Sequence, residues 1–175
     1  MDKLIYVCFI SCKKGVVAGN MKILVISDSH GAKNSILQAV RKEFPDYILH
    51  LGDYNRDCSV ITELYPDTPL RMVKGNSDGL SSNAATDGFI LENKRFLITH
   101  GHIFYVKSSL QRLRDYANEQ KPDIVLFGHT HIPYKEEYNN ILFLNPGSIG
   151  YGMPKKYAII TINDGIIDYY FKSLI

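Results

Sequence analysis

The sequence predicts an α/β protein built on mixed sheets, and three observations carry that expectation. A strand–helix–strand unit runs from Met21 to Leu51, hairpin-type turns punctuate the later chain, and five apolar strands each end in a polar tip containing His, Asp or Asn. Strand–helix–strand connections pair strands in parallel, whereas tight turns pair them antiparallel, so a chain with both makes mixed sheets.

A chain of 175 residues with 45% hydrophobic content is long enough for one substantial core. We expect a single domain over residues 21–175, preceded by an extension over residues 1–20 that need not belong to the native start, because Met21 stands directly before the first core strand. The extension's apolar run, Leu4 to Ile10, is short for a secretion signal, and Asp2 sits where such a signal wants positive charge. It reads either as an extra edge strand or as a segment packed on a neighbour. No apolar stretch approaches the roughly 20 residues that span a bilayer. The net charge of +2 comes from 20 basic and 18 acidic residues without a long run of one sign, so neither a membrane partner nor a dedicated nucleic-acid surface is expected. Lys13-Lys14 and Lys155-Lys156 read as solvated ends of elements. Cys8, Cys12 and Cys58 form neither a CxxC pair nor an even disulfide framework, which fits a reducing cytoplasm.

The first core strand is Met21 to Ile26, where β-branched Ile23, Val25 and Ile26 suit burial on both faces. It stops at Asp28-Ser29-His30-Gly31, and the glycine permits a tight turn into a helix. Asn34 is the expected cap of that helix, with Ile36, Leu37, Val40 and Phe44 on its apolar face and Pro45 as its stop. Tyr47 to Leu51 is a second buried strand, ending at Gly52-Asp53. A weaker helix over Ser59 to Tyr65 leads to a third strand, Leu70 to Val73, which ends at Gly75-Asn76-Ser77-Asp78. After a polar loop over Ser81 to Asp87, strands Phe89 to Leu91 and Phe96 to Thr99 form a hairpin about Glu92-Asn93-Lys94, and the second runs into His100-Gly101-His102. Ser108 is the expected cap of a helix carrying Leu110, Leu113, Tyr116 and Ala117 on one face up to Pro122. Strand Ile124 to Phe127 then ends at Gly128-His129-Thr130-His131. The tail, Ile141 to Leu144, Tyr157 to Ile162 and Ile166 to Phe171, reads as an antiparallel meander with Asp164-Gly165 as a two-residue turn.

Ligands in α/β sheets collect beyond the carboxyl ends of the strands, so tips delivered to one edge make one site. Five of the six histidines lie in these tips: His30, His100, His102, His129 and His131. His50 stands inside an apolar strand and reads as a satisfied core histidine. With Asp28, Asp53 and Asn76, the tips offer more donors than one tetrahedral ion uses, and none is a thiolate. Mixed imidazole and carboxylate ligation suits Mn, Fe, Ni, Co or Zn better than Ca or Mg, and two ions bridged by one carboxylate are the natural reading.

The series Asp28-x-His30, Gly52-Asp53, Gly75-Asn76-x-Asp78, His100-Gly101-His102 and Gly128-His129-x-His131 resembles the calcineurin-like metallophosphoesterase superfamily. The compact length, the Gly-Asn-x-Asp motif and the Asn145-Pro146-Gly147-Ser148 run resemble its small YfcE-type phosphodiesterases. The likeness spans residues 21 to about 172. It implies a four-layer α/β/β/α sandwich of two mixed sheets flanked by helices. It also implies two divalent transition-metal ions, manganese first among them: one held by Asp28, His30, Asp53 and His131, the other by Asp53, Asn76, His100 and His129. The activity implied is hydrolysis of small phosphate diesters through a metal-bridging hydroxide. The alternatives are a metal-binding scaffold resembling the retromer subunit of this superfamily, a phosphomonoesterase or a nuclease; a homo-oligomer is left open.

Where phosphoprotein phosphatases of the superfamily place a histidine after the Asn of the third motif, this chain has Ser77. A serine hydroxyl is a poor proton donor at neutral pH. His102 and Asn76 are the catalytic candidates, His102 as the imidazole nearest the ligands in sequence, with a rim residue that only hydrogen-bonds as its alternative. Arg56, three residues past Asp53, is a candidate contact for substrate phosphate. Asp78 reads as structural.

Overall fold

The computed structural model of the protein describes residues 10–11 and 20–174. In chain order the strands are β1 (Ile10–Ser11), β2 (Met21–Ile26), β3 (Tyr47–His50), β4 (Leu70–Met72), β5 (Thr86–Leu91), β6 (Lys94–Thr99), β7 (Ile124–Phe127), β8 (Tyr134–Tyr138), β9 (Ile141–Asn145), β10 (Lys155–Asn163) and β11 (Ile166–Leu174). The helices are α1 (Lys33–Glu43), α2 (Ser59–Leu64) and α3 (Gln111–Gln120). The strands form two mixed sheets, one ordered β1-β5-β6-β7-β9-β8 and the other β11-β10-β2-β3-β4.

Three apolar layers order the four layers of structure. Ile23, Val25, Leu49 and Leu51 from one sheet meet Phe89, Phe96, Ile98 and Leu126 from the other in the central layer. On the far face of the five-stranded sheet, Leu24, Ile26 and Ile48 pack against Ile36, Ala39 and Val40 of α1 and Ile61 of α2. On the far face of the six-stranded sheet, Leu97, Val125 and Phe127 pack against Leu113 and Ala117 of α3. β7 and the Ile23 to Ile26 part of β2 are therefore buried on both faces, as their unbroken apolar sequences require. Among the described residues no helix is long and apolar enough to cross a membrane.

Several local expectations shift. The α1 helix begins before Asn34, because Ala32 N–H closes the turn onto Ser29 O at 2.9 Å and Ala32 O already accepts from Ser35 and Ile36. Phe44 is not on its buried face: it ends the helix in the left-handed region and is 82% exposed. For α3, the hydroxyl that meets the first turn is Ser109, which accepts Gln111 N–H at 3.1 Å. Ser108 is taken up in the preceding turn, where its N–H donates to Tyr105 O. The tail is two hairpins in different sheets. β9 pairs with β7 and the added strand β8, while β10 pairs with β2 and β11. Asn145 to Ser148 carries the chain from one sheet to the other. The two-residue turns Glu92-Asn93, Asn139-Asn140 and Asp164-Gly165 all have positive φ at both positions, the form that matches strand twist.

Ile10–Ser11 pairs in parallel with Phe89 and Ile90 at the sheet edge. The rest of the Leu4 to Ile10 run, Cys8, Cys12 and the Lys13-Lys14 pair lie outside the described residues. Among the described residues, a chain beginning at Met21 gives up this short pairing, and its thermal unfolding midpoint is expected within a few degrees of the parent's. A loss of more than about 8 °C, beyond what ~1 kcal/mol produces in a domain of this size, would place the extension in the core. Phe96, fully buried and stacked on Phe89 at 5.2 Å, is the converse case. Phe96→Ala is expected to lower unfolding free energy by about 3–5 kcal/mol in urea titration.

Candidate metal centre

Parallel pairing of β2, β3 and β4, and of β6 with β7, sends their carboxyl ends to one edge of the sandwich. Within each sheet the tips are laced together: Asp28 N–H donates to Gly52 O at 3.0 Å and Gly128 N–H to His100 O at 3.1 Å. Across the seam, Ile149 and Gly150 N–H donate to Ser27 O and Asp28 O at 3.1 and 3.2 Å. The approach is close enough that a Cβ on Gly75 would overlap the Asp53 carboxylate, and one on Gly128 the Ser27 hydroxyl.

Asp28, His30, Asp53, Asn76, His100, His129 and His131 come together at this edge. His131 Nε2 lies 3.1 Å from Asp28 Oδ1, and His30 Nε2 lies 3.6 Å from Asp53 Oδ2. On the other side His100 Nε2 lies 3.1 Å from His129 Nδ1, 3.2 Å from Asn76 Oδ1 and 3.5 Å from Asp53 Oδ1. The two oxygens of Asp53 thus face opposite halves of the cluster. Asp28 Oδ1 also reaches toward both, 3.8 Å from His100 Nε2. Two sets, Asp28 with His30 and His131, and Asp28 with Asp53 and His100, have all their donor atoms close enough to share an ion.

The donors fit cations. His100 Nδ1 sits 2.8 Å from Leu51 O, an acceptor, so Nδ1 carries the proton and Nε2 turns a lone pair toward the oxygens of Asn76 and Asp53. Lone pair facing lone pair is repulsive unless a positive charge lies between them. Donor spacings of about 3 Å are those of neighbouring ligands each roughly 2.1 Å from one ion. Asp28 Oδ1 and His30 Nε2 are buried and have no hydrogen-bond partner among the described residues. Burial favours the protonated form of Asp28, but the adjoining His131 and His100 outweigh it and hold the carboxyl below its ordinary value. Burial, followed by His100, pushes His129 down to about 4, leaving a neutral ring with a lone pair to give at pH 7.

Five of the seven donor residues, Asp28, His30, Asp53, His129 and His131, have φ between 43° and 68°. That left-handed conformation is unfavourable for residues with a Cβ and persists only where surroundings enforce it. Asp78, read as structural from sequence, supplies part of the enforcement: its carboxylate accepts Asp53, Gly75 and Asn55 N–H at 2.7–2.9 Å. Asn145 Nδ2 donates to Gly128 O, and Ser148 Oγ donates to Asp28 O at 2.8 Å while accepting Gly150 and Tyr151 N–H.

Around the donors, the His102 ring lies 5.4 Å from His100 and 6.2 Å from His129, and burial with His100 lowers its pKa. Ser77 N–H donates to Asp53 Oδ1 at 2.8 Å, and its residue is exposed. Arg56 lies 4.7 Å over the Tyr54 ring, with both lining a cleft of about 420 Å3 that reaches Ser77 and Ser81. His50 is fully buried and hydrogen-bonded, as its place in an apolar strand suggests. Tyr54 and Tyr151 were not legible as site residues: their rings lie 5.0 and 4.6 Å from His30, and Tyr151 stacks on His131 at 5.2 Å. Their only sequence signal is adjacency, Tyr54 to Asp53 and Tyr151 to the Asn145 to Ser148 run.

Residues 21–165 match the calcineurin-like phosphoesterase superfamily domain. The probable metallophosphoesterase YsnB of Bacillus subtilis is 33% identical over 82% of this chain and 86% of its own length. Phosphodiesterase YfcE of Escherichia coli is 26% identical over 82% of this chain and 94% of its own. A crystal structure from Streptococcus pneumoniae, described as a predicted phosphoesterase, superposes with a TM-score of 0.72 at 32% identity, covering 90% of this chain and 91% of that one. A divalent-metal requirement follows from the family, and with motifs, sheet order and donor geometry in agreement, the chain belongs to the calcineurin-like phosphoesterase superfamily.

Proposed function

We propose that the protein is a two-metal phosphodiesterase acting on small phosphate diesters. Asp28, His30, Asp53 and His131 hold one ion and Asp53, Asn76, His100 and His129 the other, with manganese the favoured metal for this oxygen and imidazole set. The observation that carries the reading is the division of Asp53, whose two oxygens face different imidazoles at 3.6 and 3.5 Å. Two cations so held supply a water of lowered pKa and polarise the phosphoryl oxygen. The chain's own residues fix geometry and order the approach.

Support for a diester over a monoester comes from two sides. The relative YfcE is named a phosphodiesterase. A cleft lined by Tyr54, Arg56 and Ser77 also opens beside the loop that carries Asp53, which gives an ester arm somewhere to lie. Arg56 contacts the substrate from this cleft, its planar guanidinium suiting a phosphate oxygen.

Ser77 leaves the departing group without a strong acid at the third motif, and His102 is held toward its neutral form. Rates are therefore expected to rise steeply as leaving-group pKa falls across a series of aryl diesters, and to do so equally in His102→Ala. A shallow dependence in the parent that steepens in His102→Ala would assign proton delivery to His102. A shallow dependence in both would point to a different acid.

Asp53→Asn is expected to bring turnover to background and weaken uptake of both ions in calorimetric titration with Mn2+, whereas His131→Ala loosens one ion. An Asp53→Asn variant that binds two ions and keeps near-parent rates would overturn the two-metal reading.

A further inference from the structure

We propose that His50, Ser29 and Asp57 form a positioning relay that sets the spacing between the loop bearing Asp28 and His30 and the loop bearing Asp53. The inference rests on the metal-centre reading above.

All three side chains are buried: His50 and Ser29 at 0% exposure and Asp57 at 2%. Gly52 N–H points at His50 Nδ1 at 3.2 Å, so Nδ1 is the acceptor and the ring proton sits on Nε2. Nε2 faces Ser29 Oγ at 3.3 Å. Ser29 Oγ in turn donates to Asp57 Oδ2 at 2.8 Å, and the same oxygen accepts Gly31 N–H at 2.6 Å. Every donor has a direction: Gly52 to His50, His50 to Ser29, Ser29 to Asp57, with Gly31 closing on Asp57. None of these side chains is among the seven donors.

The placement explains the purpose. Ser29 lies between Asp28 and His30, both left-handed, and Gly31 follows them. Asp57 lies in the short 3-10 turn Asn55–Cys58 that leaves Asp53 and Tyr54, also both left-handed. The relay therefore staples two strained loops across the gap that His30 Nε2 and Asp53 Oδ2 must share. Cys58, buried in the apolar layer that α1 and α2 share with the five-stranded sheet, anchors the far end of the turn in the core. A buried polar chain of this kind holds ligands in register because each member loses its partner when the next moves.

The test uses the full chain, with Mn2+ binding by calorimetry, kcat and KM on bis(p-nitrophenyl) phosphate at saturating Mn2+, and urea unfolding. Ser29→Ala removes the central hydroxyl with little change of volume. His50→Leu removes both ring nitrogens, and His50→Gln keeps a donor directed at Ser29. Ser29→Ala and His50→Leu are expected to weaken Mn2+ binding about 10–100-fold, the range for residues that orient ligands. They should also lower kcat with KM changed less than about threefold, because geometry and not substrate contact is lost. His50→Gln should recover most of both losses at similar urea stability to His50→Leu. Ser29→Ala binding Mn2+ within about threefold of the parent, or His50→Gln binding no better than His50→Leu, would overturn the relay. Should His50→Leu fail to fold, Ser29→Ala compared with His50→Gln decides the matter by the same readings. A parent that takes up no Mn2+ defeats the metal-centre reading itself, a different failure from variants that bind like a metal-loaded parent.

Discussion

Asp28 and Asp53 are carboxylates at 0% and 2% exposure, placed where the ends of two sheets converge, and among the described residues no lysine or arginine lies within ion-pair distance of either. An ionised carboxylate taken out of water is strongly unfavourable unless hydrogen bonds and opposite charge replace its hydration. His129 N–H meets Asp28 Oδ2 and Ser77 N–H meets Asp53 Oδ1, which offsets part of the penalty. His100, with its proton on Nδ1, turns a lone pair inward. The remaining deficit is positive charge, and that single deficit explains both the buried atoms without partners and the choice of residues around them.

Geometry at the seam carries a second penalty, paid in backbone conformation. Residues that aim side chains inward from a strand tip must reverse direction within one or two positions, and here they do so in the left-handed region without glycine's freedom. The neighbouring polar residues make sense as the source of compensation. Asp57, Asp78, Asn145 and Ser148 each bind main-chain groups of a tip, and each is itself buried or half-buried. The rigid scaffold of apolar strands sets where the tips begin; these side chains set where they end.

Much of this was legible in the sequence, for identifiable reasons. β7 read correctly because four consecutive apolar residues between Asp123 and Gly128 have few alternatives, and the seven residues that meet at the sheet edge stood out as polar tips following strands. β8 was missed because Tyr-Lys-Glu-Glu-Tyr resembles a loop in composition: Lys135 and Glu137 are exposed, and the half-buried face of this edge strand carries Glu136, paired with Arg114, between its two tyrosines. The assignment of β9 and β10 to different sheets depends on contacts between distant segments, such as Ala158 opposite Val25, that periodicity does not encode. Tyr151 beside His30 and Asp57 beneath Gly31 are of the same kind: their roles exist only once remote loops meet.

Each of the two groups whose donor atoms lie close enough to share an ion draws on both sheets. Asp28, His30, Asp53 and Asn76 leave the five-stranded sheet, and His100, His129 and His131 the six-stranded one. Neither sheet alone holds a complete donor set, so a partly folded chain with one sheet formed has nothing with which to capture an ion tightly. Closing the seam requires contacts far apart in sequence, the slow kind in chain folding. Metal capture then belongs to the end of the folding reaction. An ion that enters there favours the docked sandwich over its separated sheets by mass action, so metal supply in the cell becomes a determinant of how long the folded chain lasts.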